Sequence, residues 1–505
     1  MASFISSSAF STMAGVVSLI FGFTSSIVVA RMLGAEGTGS VAFAIWVAMT
    51  VATLANCGVP SILLRYMPAF DTVDRPGGGL ARLLFPRFAL PVTLTIFGLA
   101  AYALWLQNAG GDNEHPPSLW LMTALLLFSY SLAAFGEAAA RGLTRFDEAA
   151  RFAFYGCLLQ LPLVALGGYF FGAAGAVAGH IARHLPQALR TIFYVRQVPT
   201  ENTKILPKMN SYGWNTWFSN AVGMLVWSRS EFLFLGIYYS ATELGYYAAG
   251  LTLAGLVIQL PTHMIAGLTP HIGRHHDNDD IDQINRTYQR VMRWLCLFIL
   301  PICFGGAAIM GQLLPLLFGD DFHEAVDLSI ILVAFAFLTA LSLVPSTFIG
   351  ARERSDFYLY ASPIMALLSM GAFAAITPFW GPTGTAWART GVHGLWLIWL
   401  VYFCWKKLDI RLDILGLAKV AISATLCAAA AYASLQYIAG LLGLAFALFI
   451  GVLVYASSLR VFKAIPENDV IALADNLPSA LPQKLASLST KVLMLLVPSP
   501  NRKGL

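Results

Sequence analysis

Long apolar segments follow one another along most of the chain, separated by short polar connections. A helix needs about 20 apolar residues to cross the ~30 Å hydrocarbon core of a bilayer. Fourteen segments meet that length, so the pattern predicts an all-α integral membrane protein. The predicted spans are roughly 8–30, 39–62, 83–106, 118–140, 150–171, 173–195, 211–239, 244–267, 291–317, 326–349, 357–379, 383–405, 415–437 and 440–461.

The first twelve spans form two similar halves. FGAAGAVAGHIARH at 171–184 matches WGPTGTAWARTGVH at 380–393 with an offset of 209, and AEGTGSVAFA at 35–44 echoes TELGYYAAG at 242–250. Six spans per half bring both copies into the membrane in the same sense, so we expect lobes related by an axis along the membrane normal. The predicted domains are an N-terminal lobe at 1–200, a C-terminal lobe at 207–405, two additional spans at 406–461, and a cytoplasmic tail with an interfacial amphipathic helix at 462–505.

Composition agrees with a membrane protein and excludes several other classes. The chain is 58% hydrophobic and 11% charged, whereas soluble proteins carry about 25% charged residues. The net charge of +5 is scattered over many connections, so it does not indicate nucleic-acid binding. The six cysteines show neither metal-site nor disulfide spacing, and no Walker A motif is present. We expect no cofactor, no metal and no cleavable signal peptide.

The distribution of Lys and Arg predicts the orientation. All but four of the 31 basic residues fall in the even-numbered connections and the C-terminal tail. Basic connections favour the cytoplasm, so we expect both termini to be cytoplasmic, with Asp112 and Asp321 outside and Arg145 and Lys208 inside. The four exceptions are Arg31, near the outer end of span 1, and Arg183, Arg229 and Arg389 at membrane depth.

Span 7 is unusually polar. If the helix is continuous, Arg229 lies ten residues, or ~15 Å, from the outer end, near the membrane midplane. It then shares a stripe with Asn215, while Glu231 points elsewhere. An intramembrane charge costs ~2.5–3.5 kcal/mol on insertion scales, so it usually lines a cavity or finds a partner. Either a bound ligand or a structural ion pair satisfies this expectation.

Other polar side chains repeat at similar depth. Span 6 carries His180, Arg183, His184 and Gln187 at helical spacing, with Arg389 and His393 in the equivalent part of span 12. Three buried Arg against one carboxylate favour an anionic ligand, and the planar guanidinium suits phosphate. The predicted substrate-binding residues are Arg229, Arg183, Arg389, His184, His393, Asn215, Gln259, His263 and Arg31, with Glu231 as a coupling or structural ion-pair residue.

Three stretches carry a family resemblance. RMLGAEGTGSVAFAIWVAMTVATLANCGVP at 31–60, RGLTRFDEAARF at 141–152 and RSEFLFLGIYYSATELGYYAAG at 229–250 resemble polysaccharide exporters and O-antigen flippases. These belong to the multidrug/oligosaccharidyl-lipid/polysaccharide superfamily. The resemblance implies two six-helix lobes around a central cavity, alternating access, and export of an undecaprenyl-diphosphate-linked oligosaccharide across the cytoplasmic membrane.

The resemblance has two departures. Family members often carry Asp where this chain has Glu231, which puts any inherited pairing in doubt. CGVPSILLRYMPAF at 57–70 lacks the basic cluster typical of lipid II flippases, which favours a capsule, O-antigen or exopolysaccharide unit. The expected partners are membrane lipids and a polysaccharide polymerase machinery. The last two spans resemble those that form a lipid-tail groove in fourteen-span members.

Two alternative functions remain at this point. A drug/cation antiporter of the same superfamily would favour buried carboxylates, because its substrates are cationic. A membrane glycosyltransferase or polymerase would need catalytic side chains in large outer loops, whereas the longest outer connection, 107–117, is short. A flippase, which is not an enzyme, therefore agrees best with the sequence.

Overall fold

The chain is α-helical throughout the residues that the structure describes. This computed structural model describes residues 2–72, 75–109, 115–201, 203–227, 229–265, 281–352, 354, 356–438 and 440–466. The helices are α1 (Ala2–Ala55), α2 (Val59–Tyr66), α3 (Leu80–Ala109), α4 (Pro117–Gly142), α5 (Phe146–Val195), α6 (Pro207–Trp227), α7 (Glu231–Tyr238), α8 (Ala241–Ile265), α9 (Ile281–Ala308), α10 (Met310–Phe318), α11 (Val326–Ala334), α12 (Ala336–Ala351), α13 (Asp356–Leu408), α14 (Ile414–Leu435) and α15 (Gly440–Val461). Short 3₁₀ helices lie at Met67–Phe70, Pro76–Gly79 and Asp320–Ala325.

Ten helical segments in this described part are long and apolar enough to cross a bilayer. Three of them, in α1, α5 and α13, each hold two of the predicted spans. Each is interrupted by one glycine with positive φ, at Gly34, Gly172 and Gly381, a conformation that glycine adopts without a β-carbon clash. The seventh predicted span is divided between α6 and α7 and is not among the ten. The ten segments thus agree with the fourteen-span pattern.

The interruptions in α5 and α13 reverse the chain. A β-carbon built on Gly167 would overlap the carbonyl oxygen of Gly175. In α13, Thr385 Oγ1 donates a hydrogen bond to Thr377 Oγ1 at 3.0 Å. Residues eight apart on a continuous helix would be separated by ~12 Å. Each of these two helices is therefore a hairpin of two spans joined by a one-glycine turn.

The described residues form two compact units. The first contains Met1–Thr252, Leu317–Phe322 and Tyr360–Ala388, and the second contains Leu253–Leu316, His323–Leu359 and the chain from Arg389 onward. The core of the first unit packs large apolar side chains from α1 to α5, among them Leu63, Phe88, Phe135 and Tyr194. The division into lobes by sequence repeat stays a prediction.

Two structural predictions have different outcomes. The continuous helix predicted over 211–239 is wrong, because α6 ends at Trp227 and α7 begins at Glu231. The physical reason is local: Arg229 has a φ of +59°, in the left-handed region that does not continue a right-handed helix. The amphipathic helix predicted in the tail lies beyond the described residues, as do Asp112 and the rest of 110–114.

Candidate functional site

Arg229 occupies the break between α6 and α7. The Phe232 N–H donates to the Arg229 carbonyl at 3.0 Å, which starts the first turn of α7. The guanidinium carbon of Arg229 lies 5.8 Å from the Phe232 ring centroid. Because α7 has eight residues, the break lies ~12 Å from the predicted outer end of the span. The predicted position of Arg229 near mid-membrane therefore does not require a continuous helix, and it stays a prediction.

Glu231 is the first residue of α7 and is 0% exposed. A carboxylate at a helix N-terminus interacts favourably with the aligned peptide dipoles. In the repeat, with an offset of 206, Glu231 corresponds to Ser25, which is also buried. This position places a carboxyl group two residues from Arg229, and the ion-pair or coupling role of Glu231 stays a prediction.

The polar stripe predicted for span 7 ends at the break. Asn215 is exposed and lies on α6, which begins at Pro207. Arg229 lies beyond Trp227, so helical periodicity no longer fixes its direction relative to Asn215. The stripe is therefore wrong as a continuous feature, and Asn215 and Arg229 are separate candidates.

The predicted outer ends of spans 1, 2, 7 and 8 form a tight seam within the first unit. A β-carbon built on Gly39 would overlap the Ala241 carbonyl oxygen and lie 2.7 Å from the Gly245 nitrogen. One built on Gly245 would overlap the Ala35 carbonyl oxygen. Ala35 and Gly39 correspond to Ala241 and Gly245 at an offset of 206, so the repeat contacts itself through equivalent residues. We call these four residues the outer seam.

Arg31 lies beside the outer seam. Its Nε donates to the Leu317 carbonyl at 2.9 Å, and its side chain is exposed. This contact holds α1 to the end of α10 within the first unit. The bond gives Arg31 a structural role, and its predicted role in substrate binding stays a prediction.

Arg183 and His184 line one cavity in the first unit. Arg183 Nη1 donates to Gln160 Oε1 at 2.9 Å, and Gln160 Nε2 donates to Ser25 Oγ at 3.3 Å. The cavity, of about 250 Å³, lies among α1, α4 and both arms of α5. The His184 ring meets the Tyr130 ring edge-on at 5.1 Å between centroids. Arg183, His184 and Gln187 of the predicted polar face thus line this cavity, and the substrate-binding role of Arg183 and His184 stays a prediction.

The remaining candidates lie elsewhere. Arg389 and His393 belong to the second unit, where His393 is buried and its Nδ1 lies 2.9 Å from Thr339 Oγ1. Gln259 is exposed on α8. The side chain of His263 lies outside the described part of the structure.

Sequence reasoning missed the outer seam and two charged residues of the cavity. Glu137 and Arg141 line the cavity and form an ion pair at 2.6 Å. Their spacing of four residues on α4 predicts a surface pair, which gives no indication of a cavity. The seam had a usable signal, since a small residue recurs at the same spacing of four in both halves of the repeat.

The comparisons with known proteins agree with this architecture. A model of a polysaccharide biosynthesis protein family matches residues 28–327, which is more than half of the chain. The chain belongs to this polysaccharide biosynthesis protein family. A search of curated protein sequences found no match to this chain.

Solved structures show the fold. A structure of the lipid II flippase MurJ in an inward closed conformation has a TM-score of 0.74 at 13% identity and covers 90% of this chain and 98% of its own. An inward-facing multidrug resistance MATE transporter of the MOP superfamily has a TM-score of 0.61 at 15% identity, with 78% and 94% covered. An outward-facing MATE structure has a TM-score of 0.55 at 16% identity, with 80% and 94% covered. These structures confirm the predicted all-α fold, the family model confirms the predicted polysaccharide family, and the family member is a multi-pass membrane protein.

Proposed function

We propose that this protein moves a polyprenyl-diphosphate-linked oligosaccharide from the inner to the outer leaflet of the cytoplasmic membrane by alternating access, for the synthesis of a surface polysaccharide such as O-antigen or exopolysaccharide. The family concerns polysaccharide synthesis, and the fold is that of flippases and transporters. Both termini would be cytoplasmic, and the working partners would be membrane lipids and a polysaccharide polymerase.

The observation that carries the proposal is the Arg229 break. Non-helical backbone at membrane depth persists only where protein covers it or where it borders a water-filled cavity. Transporters commonly place such broken helices at their substrate sites. The break here bears a guanidinium, which can make paired hydrogen bonds with phosphate oxygens. These properties match a diphosphate better than a cationic drug.

Substitutions at Arg229 separate a ligand role from a structural one. Arg229→Lys keeps the charge and loses the paired donors, so export should fall partly, whereas Arg229→Ala should abolish export at normal protein abundance. Arg75→Ala removes an exposed charge from a connection and should change neither. Flipping of a fluorescent undecaprenyl-diphosphate sugar in proteoliposomes, with surface polymer and protein abundance in cells, provides the measurement.

The structural alternative has a different signature. If Arg229 serves only to neutralise Glu231, then Arg229→Ala should lower abundance by leaving a buried carboxylate without its counter-charge, a loss of roughly 3–5 kcal/mol for buried pairs. Adding Glu231→Gln should then rescue abundance and export together. Such a rescue of export would mean that Arg229 does not bind the substrate.

The MATE-like fold keeps a drug/cation antiporter as a second candidate, and the buried Glu231 suits a cationic substrate. In that case Glu231→Gln should abolish resistance to cationic drugs and leave surface polysaccharide unchanged. Loss of polysaccharide without any change in drug resistance would exclude the antiporter.

A further inference from the structure

The cavity in the first unit has an excess of hydrogen-bond donors. Gln187 is 6% exposed, and within the described part of the structure its Nε2 has no hydrogen-bond acceptor. Arg183 makes one side-chain hydrogen bond there, to the neutral Gln160, which leaves its other N–H groups available. Both side chains line the cavity and require acceptor oxygens.

The local charges leave a positive balance. Glu137 is the acid on the cavity wall, and Arg141 neutralises it at 2.6 Å. Arg183 then contributes a cation that has no carboxylate within ion-pair distance among the described residues. His184 adds an imidazole ring to the same wall. The lining therefore fits an anion that is rich in acceptor oxygens.

The cavity extends along α4 and α5. It runs from Arg141, in the last turn of α4, past Gly136 and Gln187, which are neighbours, to Arg183. Arg141 and Gly136 are five residues apart on α4, and Gln187 and Arg183 are four residues apart on α5. At ~1.5 Å per residue, the two steps together give a depth of ~14 Å. A volume of about 250 Å³ holds the equivalent of about eight waters at ~30 Å³ each. A phosphate or diphosphate group fits this volume together with water.

We propose that this cavity binds the phosphate group of an anionic molecule, with Arg183 and Gln187 as donors and Arg141 at its mouth. Arg229 is not among the lining residues, and the proposal goes beyond the proposed function because it includes phosphate groups of molecules that are not exported. A phospholipid headgroup, a polyprenyl diphosphate and free inorganic pyrophosphate all offer the same oxygens.

Two variants test the site by different means. Arg183→Gln removes the cation and keeps a hydrogen-bonding side chain. Ala150→Leu fills the cavity with apolar atoms and keeps the cation, since Ala150 is buried on the cavity wall. Arg196→Gln is the matched control, because it removes an exposed cation from the end of the same helix.

Native mass spectrometry of the purified full-length protein measures binding of phosphatidylglycerol, undecaprenyl diphosphate and inorganic pyrophosphate as separate probes. We expect at least one probe to bind, with at least tenfold weaker binding in Arg183→Gln and Ala150→Leu and unchanged binding in Arg196→Gln. The probe that binds identifies the source of the phosphate. Binding of no probe, or equal binding by the wild type and both cavity variants, would overturn the proposal. Export in cells is measured separately, so loss of the proposed function is distinguishable from loss of this site.

Discussion

A single methyl group at position 39 should disturb the outer seam. Gly39→Ala places a β-carbon 2.7 Å from the Gly245 nitrogen and into the Ala241 carbonyl oxygen, whereas ordinary contact begins at 3.4 Å. The backbones of α1 and α8 must therefore move apart by at least the difference between 3.4 Å and 2.7 Å. The clash is with backbone, so no side-chain rotation can relieve it.

The cost of the clash sets the expected shift. Overpacking of a tight contact costs about 1–3 kcal/mol, which changes a two-state equilibrium about 5- to 150-fold. If the seam opens and closes during transport, Gly39→Ala should favour the open state by that factor. Gly245→Ala should act in the same way, because its β-carbon would meet Ala35 in the reciprocal contact.

Cysteine accessibility measures this shift. Thr38→Cys in a cysteine-free background places a thiol at a buried position next to the seam. An impermeant maleimide on intact cells should label it faster when Gly39→Ala is added. Gly98→Ala is the matched control, since a β-carbon on Gly98 of α3 would meet nothing within 4 Å. Equal labelling rates in the Gly39→Ala and Gly98→Ala backgrounds, with normal export, would refute a moving seam.

Three further predictions follow from single residues. Glu148→Gln removes the charge that accepts bonds from Arg190 Nε at 2.7 Å, so thermal unfolding of purified protein should show a loss of about 1–3 kcal/mol. The pKa of Asp413 lies below its ordinary value because, although burial raises it, the bonds from the Gly416 N–H and Arg293 lower it more. Wild type should therefore be more stable than Asp413→Asn at pH 7, and the melting-temperature difference should disappear as the pH falls below about 4. Cysteines at 112 and 208 should differ in labelling by an impermeant maleimide on intact cells, and equal labelling would contradict the predicted topology.

The repeat illustrates how much the sequence could predict. In the first half, Glu148 accepts hydrogen bonds from Arg190 and, at 2.7 Å, from the Tyr194 hydroxyl. An offset of 209 maps these three residues to Phe357, Trp399 and Phe403, which form an aromatic cluster with Phe357 to Phe403 centroids 4.5 Å apart. Glycine spacing and apolar length predict the two halves, because both depend on the backbone rather than on these polar or aromatic side chains.

The site was harder to predict for a physical reason. Helical periodicity assumes that φ and ψ stay helical, and a single left-handed residue, Arg229, removes that assumption for every residue beyond it. Arginine is not a residue that sequence rules place in the left-handed region, so nothing in the sequence of span 7 indicated the break. The cavity at Arg183 was easier, because its wall lies on an uninterrupted arm of α5 where the spacing of polar residues is informative.

The break and the seam are joined by α7, and that connection has a mechanical consequence. This helix begins after left-handed Arg229 and ends at Tyr238. The next residue, Tyr239, has an extended backbone, and its hydroxyl donates to the Pro378 carbonyl at 3.4 Å. Two residues later Ala241 enters the seam with Gly39. A hydrogen-bonded helix of eight residues resists bending, so the non-helical residues at its two ends must absorb any displacement of Ala241.

We therefore expect seam opening to rotate α7 about Arg229 and move the guanidinium. By linkage, a ligand bound at Arg229 must then change the opening equilibrium. Labelling at position 38 in an Arg229→Ala background measures this coupling, and an unchanged labelling rate with and without the lipid-linked substrate would show that the two features act independently.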